Sequence, residues 1–310
     1  KCLFMPADLT GGIEFNHDKL HDKATDAQKY RDAALAEDPA ATGDRLQQLI
    51  EKHTPDPLHQ VVNIASAYAQ NEWKNEQWSF LIGGRVDKNS IMDKTVFSPR
   101  ANIRYNPTQD VNIRFSYAEG FRAPQAFDED LHISNVGGKL VSIVRAKGLK
   151  EERSRSLNAS VDWYHYFGDF QANLLVEGFY TKLSDPFVLT PPVKAPDGSA
   201  YLIQTRINGS GAKVYGGTLE GKIAYKDKVQ LQAGLTLQRS IYDSPEEWSA
   251  DEEHLSEKER SSNKILRTPN VYGYFTATCT PVKAFSIALN GNYTGRMYVP
   301  HLLSEVNGEA

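Results

Sequence analysis

The stretch "FSPRANIRYNPTQDVNIRFSYAEGFRAPQAFDEDLH", Phe97 to His132, decides the fold class. Phe97, Pro99, Ala101, Ile103 and Tyr105 share one parity, while Ser98, Arg100, Asn102, Arg104 and Asn106 share the other. Past the turn "PTQD", Val111, Ile113, Phe115 and Tyr117 alternate with Asn112, Arg114 and Ser116. Side chains alternate between the two faces of a strand, so each strand carries one apolar face and one face of arginines and amides. Charged groups in mid-strand need water or a polar partner on that face.

The same alternation extends outward in both directions. Leu9, Gly11, Ile13 and Phe15 share a face, as do Trp78, Phe80, Ile82, Gly84 and Val86. Leu157, Ala159, Val161 and Trp163 repeat it, then Val229, Leu231, Ala233, Leu235 and Leu237, then Phe285, Ile287, Leu289, Gly291 and Tyr293. Less regular strands fit 59–72, 168–181, 212–226 and 267–279, where Tyr272 and Tyr274 compete with Val271 and Phe275 for the apolar face. The pattern predicts about eleven strands of roughly 9–14 residues, longer than the ~5–6 of globular strands and matched to the ~9–11 of a tilted spanning strand. Connections fall into two sets. Short ones lie near Asn75 and at 107–110, 165–169, 226–228 and 280–283; long ones lie at 17–58, 119–152, 182–211 and 242–266, with 88–95 as the brief exception. Outer-membrane barrels sort their connections this way, with short periplasmic turns and long extracellular loops. Tyr105, Tyr117, Trp163, Tyr180, Tyr225 and Tyr293 lie near strand ends on the apolar parity, where interfacial girdles form. The competing architecture is a soluble sandwich, barrel or propeller; a propeller would show an internal repeat of about 40–50 residues, and none is visible.

The chain has 310 residues, 40% of them hydrophobic, and a net charge of −4. Its mean hydropathy is −0.51. No run approaches the ~18 consecutive apolar residues of a spanning helix, but lumen-facing polar residues keep a membrane barrel open as a reading. Mild acidity argues against a nucleic-acid partner. Cys2 and Cys279 are the only cysteines. They are expected near the periplasmic ends of strands far apart around the wall, as free thiols. The first residue, Lys1, is read as the start of a trimmed or mature chain. No hydrolase, metalloprotease or phosphate-loop motif occurs, so no enzyme, cofactor or metal site is expected.

Four segments carry a resemblance. "FSYAEGFRAPQAFDEDLH" is similar to the strand-to-loop segment of TonB-dependent outer-membrane receptors. "LKEERSRSLNASVDWY", "INGSGAKVYGGTLEGKIAY" and "NYTGRMYVPH" resemble later strands of the same family, of the gut-anaerobe type. The resemblance covers most of Leu9 to His301. It implies an all-β fold: an antiparallel transmembrane β-barrel segment of about eleven strands from a 22-stranded barrel. By that analogy residues 1–310 form a partial barrel, roughly strands nine to nineteen, with the plug domain and the C-terminal strands outside the chain. The implied function is TonB-dependent import of a scarce, bulky nutrient at the outer membrane of a Gram-negative bacterium. A ferric siderophore leads as cargo, followed by cobalamin or haem. The implied partners are the TonB energy-transducing complex, outer-membrane lipid, a metal-chelate or small-molecule cargo, and a surface lipoprotein as a further candidate. The alternative is a structural or adhesive β-protein whose loops bind protein partners.

Cargo contacts are expected from the long loops: Phe121, Arg122, Asp128, Asp130 and His132 after the fifth strand, with Tyr201, Arg206 and Trp248 from neighbouring loops. Aromatics supply rigid apolar contact, and arginine pairs in plane with a carboxylate or phosphate. Arg122 equally suits a pin between the loop and a nearby carboxylate. "DEDLH" has carboxylates but lacks calcium-loop spacing, and reads better as a solvated rim. His17 and His21 have a chelating spacing only on a helix, and His17 sits at a strand end. The segment that follows them reads as an extracellular excursion with one or two short helices. The charged run 243–262 reads as solvated, and the Pro-rich 185–206 as a long irregular loop.

Overall fold

The computed structural model describes residues 5–23, 27–126, 141–196, 198, 201–247 and 256–298. β1 (Ala7–Asp22) leads through a helical pair, α1 (Ala27–Glu37) and α2 (Gly43–His53), into β2 (Leu58–Lys74). β3 (Trp78–Asn89), β4 (Thr95–Thr108) and β5 (Val111–Arg122) follow, then a short β6 (Val141–Arg145). β7 (Glu152–Phe167) and β8 (Phe170–Ser184) precede three short strands, β9 (Phe187–Leu189), β10 (Val193–Lys194) and β11 (Leu202–Asn208). The chain continues through β12 (Ala212–Tyr225), β13 (Val229–Glu247), α3 (Glu257–Arg260), β14 (Ser261–Lys264), β15 (Val271–Val282) and β16 (Phe285–Thr294).

Eleven long strands form one antiparallel sheet in the order β1-β2-β3-β4-β5-β7-β8-β12-β13-β15-β16. Neighbours in the sheet are neighbours in the chain apart from excursions at the long-loop end. The register fixes the faces: Ile103 sits opposite Phe115, and Ile113 opposite Val161, while Arg104 faces Arg114 and Arg114 faces Ser160. Ile103, Phe115, Val161, Leu231, Leu235 and Ile287 are all exposed on the apolar face. Gln232 and Asn290 lie on the arginine side, as expected. β15 resolves its ambiguity the same way. Tyr272 and Tyr274 pair with Thr236 and Gly234 on the polar face, and Phe275 pairs with Ala233 on the apolar one.

The wall has almost no interior of its own. Ile13 is 90% exposed, Leu9 79% and Ile82 60%. A water-soluble sheet could not leave so continuous an apolar surface uncovered; a bilayer covers it. Along β8, Tyr180 and Phe170 bracket the apolar run. Ten residues of strand tilted at about 40° span roughly 25 Å, the height of an outer-membrane barrel's apolar band. At the short-turn end, Trp163, His165, Phe167, Phe170 and Tyr225 form a stacked ladder with neighbouring centroids 4.7–5.9 Å apart. Cys279 is an exposed free thiol, paired in register with Ile287 near this end; Cys2 lies outside the described residues. No helix among the described residues is long and apolar enough to cross a membrane.

Among the described residues, buried cores occur only at the long-loop end. Ala34, Ala41 and Leu49 close the helical pair, and Met92, Val96 and Ala123 close the top of β4 and β5. Three expectations need correction there. His17 and His21 lie within β1, which stays paired with β2 up to Asp22↔Leu58. The stretch 185–206 is not irregular but carries β9, β10 and the start of β11. The charged run after residue 242 begins as strand: β13 continues to Glu247 and pairs with β14. In each case a cross-strand partner satisfies the backbone, and backbone pairing is indifferent to side-chain charge.

Candidate functional site: the long-loop layer

Two long loops are knitted into one small sheet. β6, from the loop after β5, runs parallel to β11, from the loop after β8, in register from Val141↔Leu202 to Arg145↔Arg206. β9 and β10 pair antiparallel with β11, completing a four-stranded sheet. Asn208 ties its base: its side-chain amide donates to the Lys150 carbonyl at 3.1 Å and to the Asp185 carbonyl at 2.9 Å, and its Oδ1 accepts from Lys150 N–H. Thr190 extends the sheet's edge, accepting from Thr205 N–H at its Oγ1 and from the Gln204 amide at its carbonyl.

The "GFRAP" element, Gly120 to Pro124, joins wall and loops. Phe121 is half-buried against Met92, Val96 and Ala123, so it packs the top of the wall. Arg122 is exposed, with its guanidinium 5.9 Å from the Phe187 ring centroid. The Pro124 carbonyl accepts from Arg145 Nη1 at 3.2 Å, and Ala126 N–H donates to Gln60 Oε1 at 2.8 Å. The element thus fastens β5 to β6, β9 and β2 at once.

Arg206 lies in β11 of the small sheet and Tyr201 immediately precedes that strand, in different settings. Tyr201 is half-buried and lines an open cleft of about 760 Å³ with Asp56, Asp93, Pro124, Arg145 and Ile203. Arg206 is only 3% exposed and belongs to the interior of the loop sheet. Asp128, Asp130, His132 and Trp248 lie outside the described residues. Sequence reading missed Asp56, Asp93 and Arg145, which come from three separate connections and share no motif.

Below the loops, the polar face of β2 and β3 carries a tight network. Arg85 donates from Nε to Asp87 at 2.8 Å, from Nη1 to Glu14 at 2.9 Å and from Nη2 to Ser66 Oγ at 2.8 Å; Ser66 Oγ–H in turn donates to Asp87 at 2.6 Å. Ser66 and Asp87 are buried. A second pocket of about 480 Å³ opens here, bounded by Arg85, Asn89, Ser98, Phe121 and Arg122.

Further out, the helical pair is clamped by Glu37, which accepts from Lys52 on both oxygens and lies 3.0 Å from His53 Nε2. Lys52's hydrogen bond, reinforced by its charge and by His53, holds the Glu37 carboxyl below its ordinary 4.5 against the opposing effect of burial. His21 meets His59 across the β1–β2 ladder, with Nδ1 atoms 3.1 Å apart, and His17 meets Asn63 instead. Among the described residues, no group of three or more His, Cys, Asp or Glu is placed to hold a metal ion.

A one-faced apolar sheet about 25 Å tall, girdled by aromatics and capped by interlaced loops on one side only, is the wall of an outer-membrane β-barrel. The family model for TonB dependent receptor-like β-barrels matches residues 5–301, and the chain belongs to that family. Solved receptors share the fold. The siderophore receptor PirA from Pseudomonas aeruginosa aligns with a TM-score of 0.61 at 15% identity over 94% of this chain and 46% of its own. The ferric enterobactin receptor PfeA gives 0.62 at 17% identity over 94% and 40%. The FrpB iron transporter from Neisseria meningitidis gives 0.55 at 16% over 93% and 40%. The chain therefore spans less than half the length of these receptors. No curated protein matches it in sequence.

Proposed function

We propose that this chain forms wall and outer loops of a receptor that imports a ferric siderophore across the outer membrane, driven by the TonB complex. The carrying observation is the loop layer. Two loop strands about sixty residues apart in sequence meet in parallel beside a cleft lined by Tyr201, Arg145 and two carboxylates. Parallel pairing between distant loops is slow and entropically costly to form, and here it fixes an aromatic and charged groups around one opening. That is a surface for tight capture of a polar, semi-rigid molecule rather than for passive flow. The similarity to PirA, PfeA and FrpB, whose names specify siderophores or iron, supports the cargo class.

The test is growth of a deletion strain on single iron or cofactor sources, complemented with the wild-type or Tyr201→Ala receptor. Ferric siderophore should be the source that restores growth, and Tyr201→Ala should weaken cargo binding about tenfold while the barrel still assembles. Rescue by haem or cobalamin alone would overturn the siderophore reading.

A further inference from the structure

One cross-strand contact plays no part in cargo capture. His21 and His59 are direct partners in the β1–β2 ladder. Their Nδ1 atoms are 3.1 Å apart, and their ring centroids 4.0 Å apart at an interplanar angle of 31°. Directly opposed residues of an antiparallel pair hold their Cβ atoms about 4.5–5.5 Å apart, so the backbone itself brings the two rings together. Both side chains are exposed.

The spacing suits a metal ion. Two nitrogens each about 2.0–2.1 Å from one ion, at about 90–110° to each other, lie about 2.8–3.4 Å apart. The observed 3.1 Å falls inside that range. As neutral rings the two histidines share one proton, with one Nδ1–H donating to the other Nδ1. An ion takes both Nδ1 lone pairs once the donor ring's proton moves through solvent to its own Nε2. Both rings then stay neutral and no proton is released. Imidazole suits a divalent transition ion, whereas a hard ion such as calcium wants oxygen ligands. His17 adds no third nitrogen, because its Nδ1 lies 2.7 Å from Asn63 Oδ1.

The place of the pair gives such an ion something to do. The exposed apolar run of β1, Leu9, Ile13 and Phe15, ends there, and His17, Lys19 and His21 continue the same face as polar groups past the apolar band. β3 pairs with β2 only from Ile64↔Asn89 inward, while β1 and β2 stay paired out to Asp22↔Leu58. The outer rungs are therefore a two-stranded ribbon among the described residues, and such a ribbon is marginally stable by itself. The pair stands on its last rung but one, and the 38-residue separation between the two histidines encloses α1 and α2. A metal clip that closes a long loop removes much of its conformational freedom.

We propose that His21 and His59 form a two-histidine site for a divalent transition ion, Cu²⁺ held more tightly than Zn²⁺, which staples the outer end of the β1–β2 ribbon and steadies the helical pair above it. The order of the ions follows the general ranking of first-row metals on nitrogen ligands. Water fills the remaining coordination positions. The site is separate from the cleft beside Tyr201, and the proposal stands whether or not the cargo is a siderophore.

The test uses the purified receptor containing this chain, inserted in phosphatidylcholine vesicles and stripped of metal by a chelator. Cu²⁺, Zn²⁺ and Ca²⁺ salts are the probes. Electron spin-echo spectra of the Cu²⁺-loaded receptor should show a site with two imidazole ligands. His21→Gln or His59→Gln should remove one of them and weaken Cu²⁺ binding about tenfold or more. His17→Gln should change neither. The pair His21→Cys/His59→Cys, kept reduced, should bind Zn²⁺ again, which separates a lost ligand from a lost fold. Zn²⁺ should also slow amide exchange in α1 and α2 at least twofold in the wild type and not in the Gln variants. Cu²⁺ affinity equal in the wild type and both Gln variants, or Ca²⁺ bound as tightly as Cu²⁺, would overturn the site. Metal bound by the pair with helix exchange unchanged would overturn the staple. Neither result touches the cargo reading, which the growth assay tests.

Discussion

Arg85 spends all three of its hydrogen-bonding nitrogens on neighbours that need them: Asp87, Glu14 and Ser66. Asp87 is buried, so removing the guanidinium leaves a carboxylate with the Ser66 hydroxyl as its remaining hydrogen-bond donor of this group. Arg85→Ala should cost about 1–3 kcal/mol in urea unfolding of the vesicle-inserted protein, and Arg85→Lys less. Glu37 acts on a different part of the molecule. A carboxylate whose pKa is depressed on folding stabilises above its unfolded value and loses that contribution as pH falls through the depressed one. The clamp on α1 and α2 is thus intact above pH 4.5 and releases below it. Amide exchange in both helices should accelerate on acidification through that range, and Glu37→Gln should abolish the dependence. Persistent protection of the helices at acid pH in the wild type would show that apolar packing of Ala34, Ala41 and Leu49 alone holds them.

Individual strands obey the face rule closely enough to make opposite demands on neighbouring residues. Leu235 is exposed on the apolar face, and an arginine there should cost about 2–4 kcal/mol at mid-depth, whereas Asn290→Arg on the polar face should cost far less. Glycines report the same logic through space. A Cβ on Gly216 would lie 2.2 Å from the Leu237 carbonyl, while one on Gly221 meets nothing within 4 Å. Gly216→Ala should therefore destabilise by about 1–3 kcal/mol through forced backbone movement, and Gly221→Ala should be near neutral. At Gly84 the neighbouring Phe97 ring already occupies the Cβ position, 2.5 Å away, so the pair behaves as one packed unit across the ladder. The loops follow a looser rule. β6 and β11 have ordinary apolar composition, and only their partnership shows that they are strands.

At the level of the whole molecule, the two ends of the wall differ in kind. The long-loop end carries α1, α2, the four-stranded sheet and both buried cores; the other end carries turns such as 107–110. An epitope tag placed after Pro39, between the helices, should be labelled by antibody on intact cells. One in the 107–110 turn should be labelled only after the outer membrane is permeabilised. The reverse pattern would invert the assigned topology and remove the basis for outward-facing capture. The main sheet remains open among the described residues, with β1 and β16 each paired on one side.

Alternation of side chains by itself determined the wall: which strands exist, which faces meet lipid, and which end bears loops. A period of two survives any tertiary context, because slipping by one residue would turn Ile103 and Phe115 toward water and Arg104 and Arg114 toward lipid. Tertiary structure alone decided the loop layer. The continuation of β1 past His17, the pairing of β6 with β11, Arg206's burial and the placing of Asp56, Asp93 and Arg145 around Tyr201 depend on partners far away in sequence. The pair His21 and His59 is the intermediate case. Each shows its parity in the sequence, but register decides that they stand side by side. A strand's own residues fix which way a side chain points; the neighbouring strand fixes what it points beside.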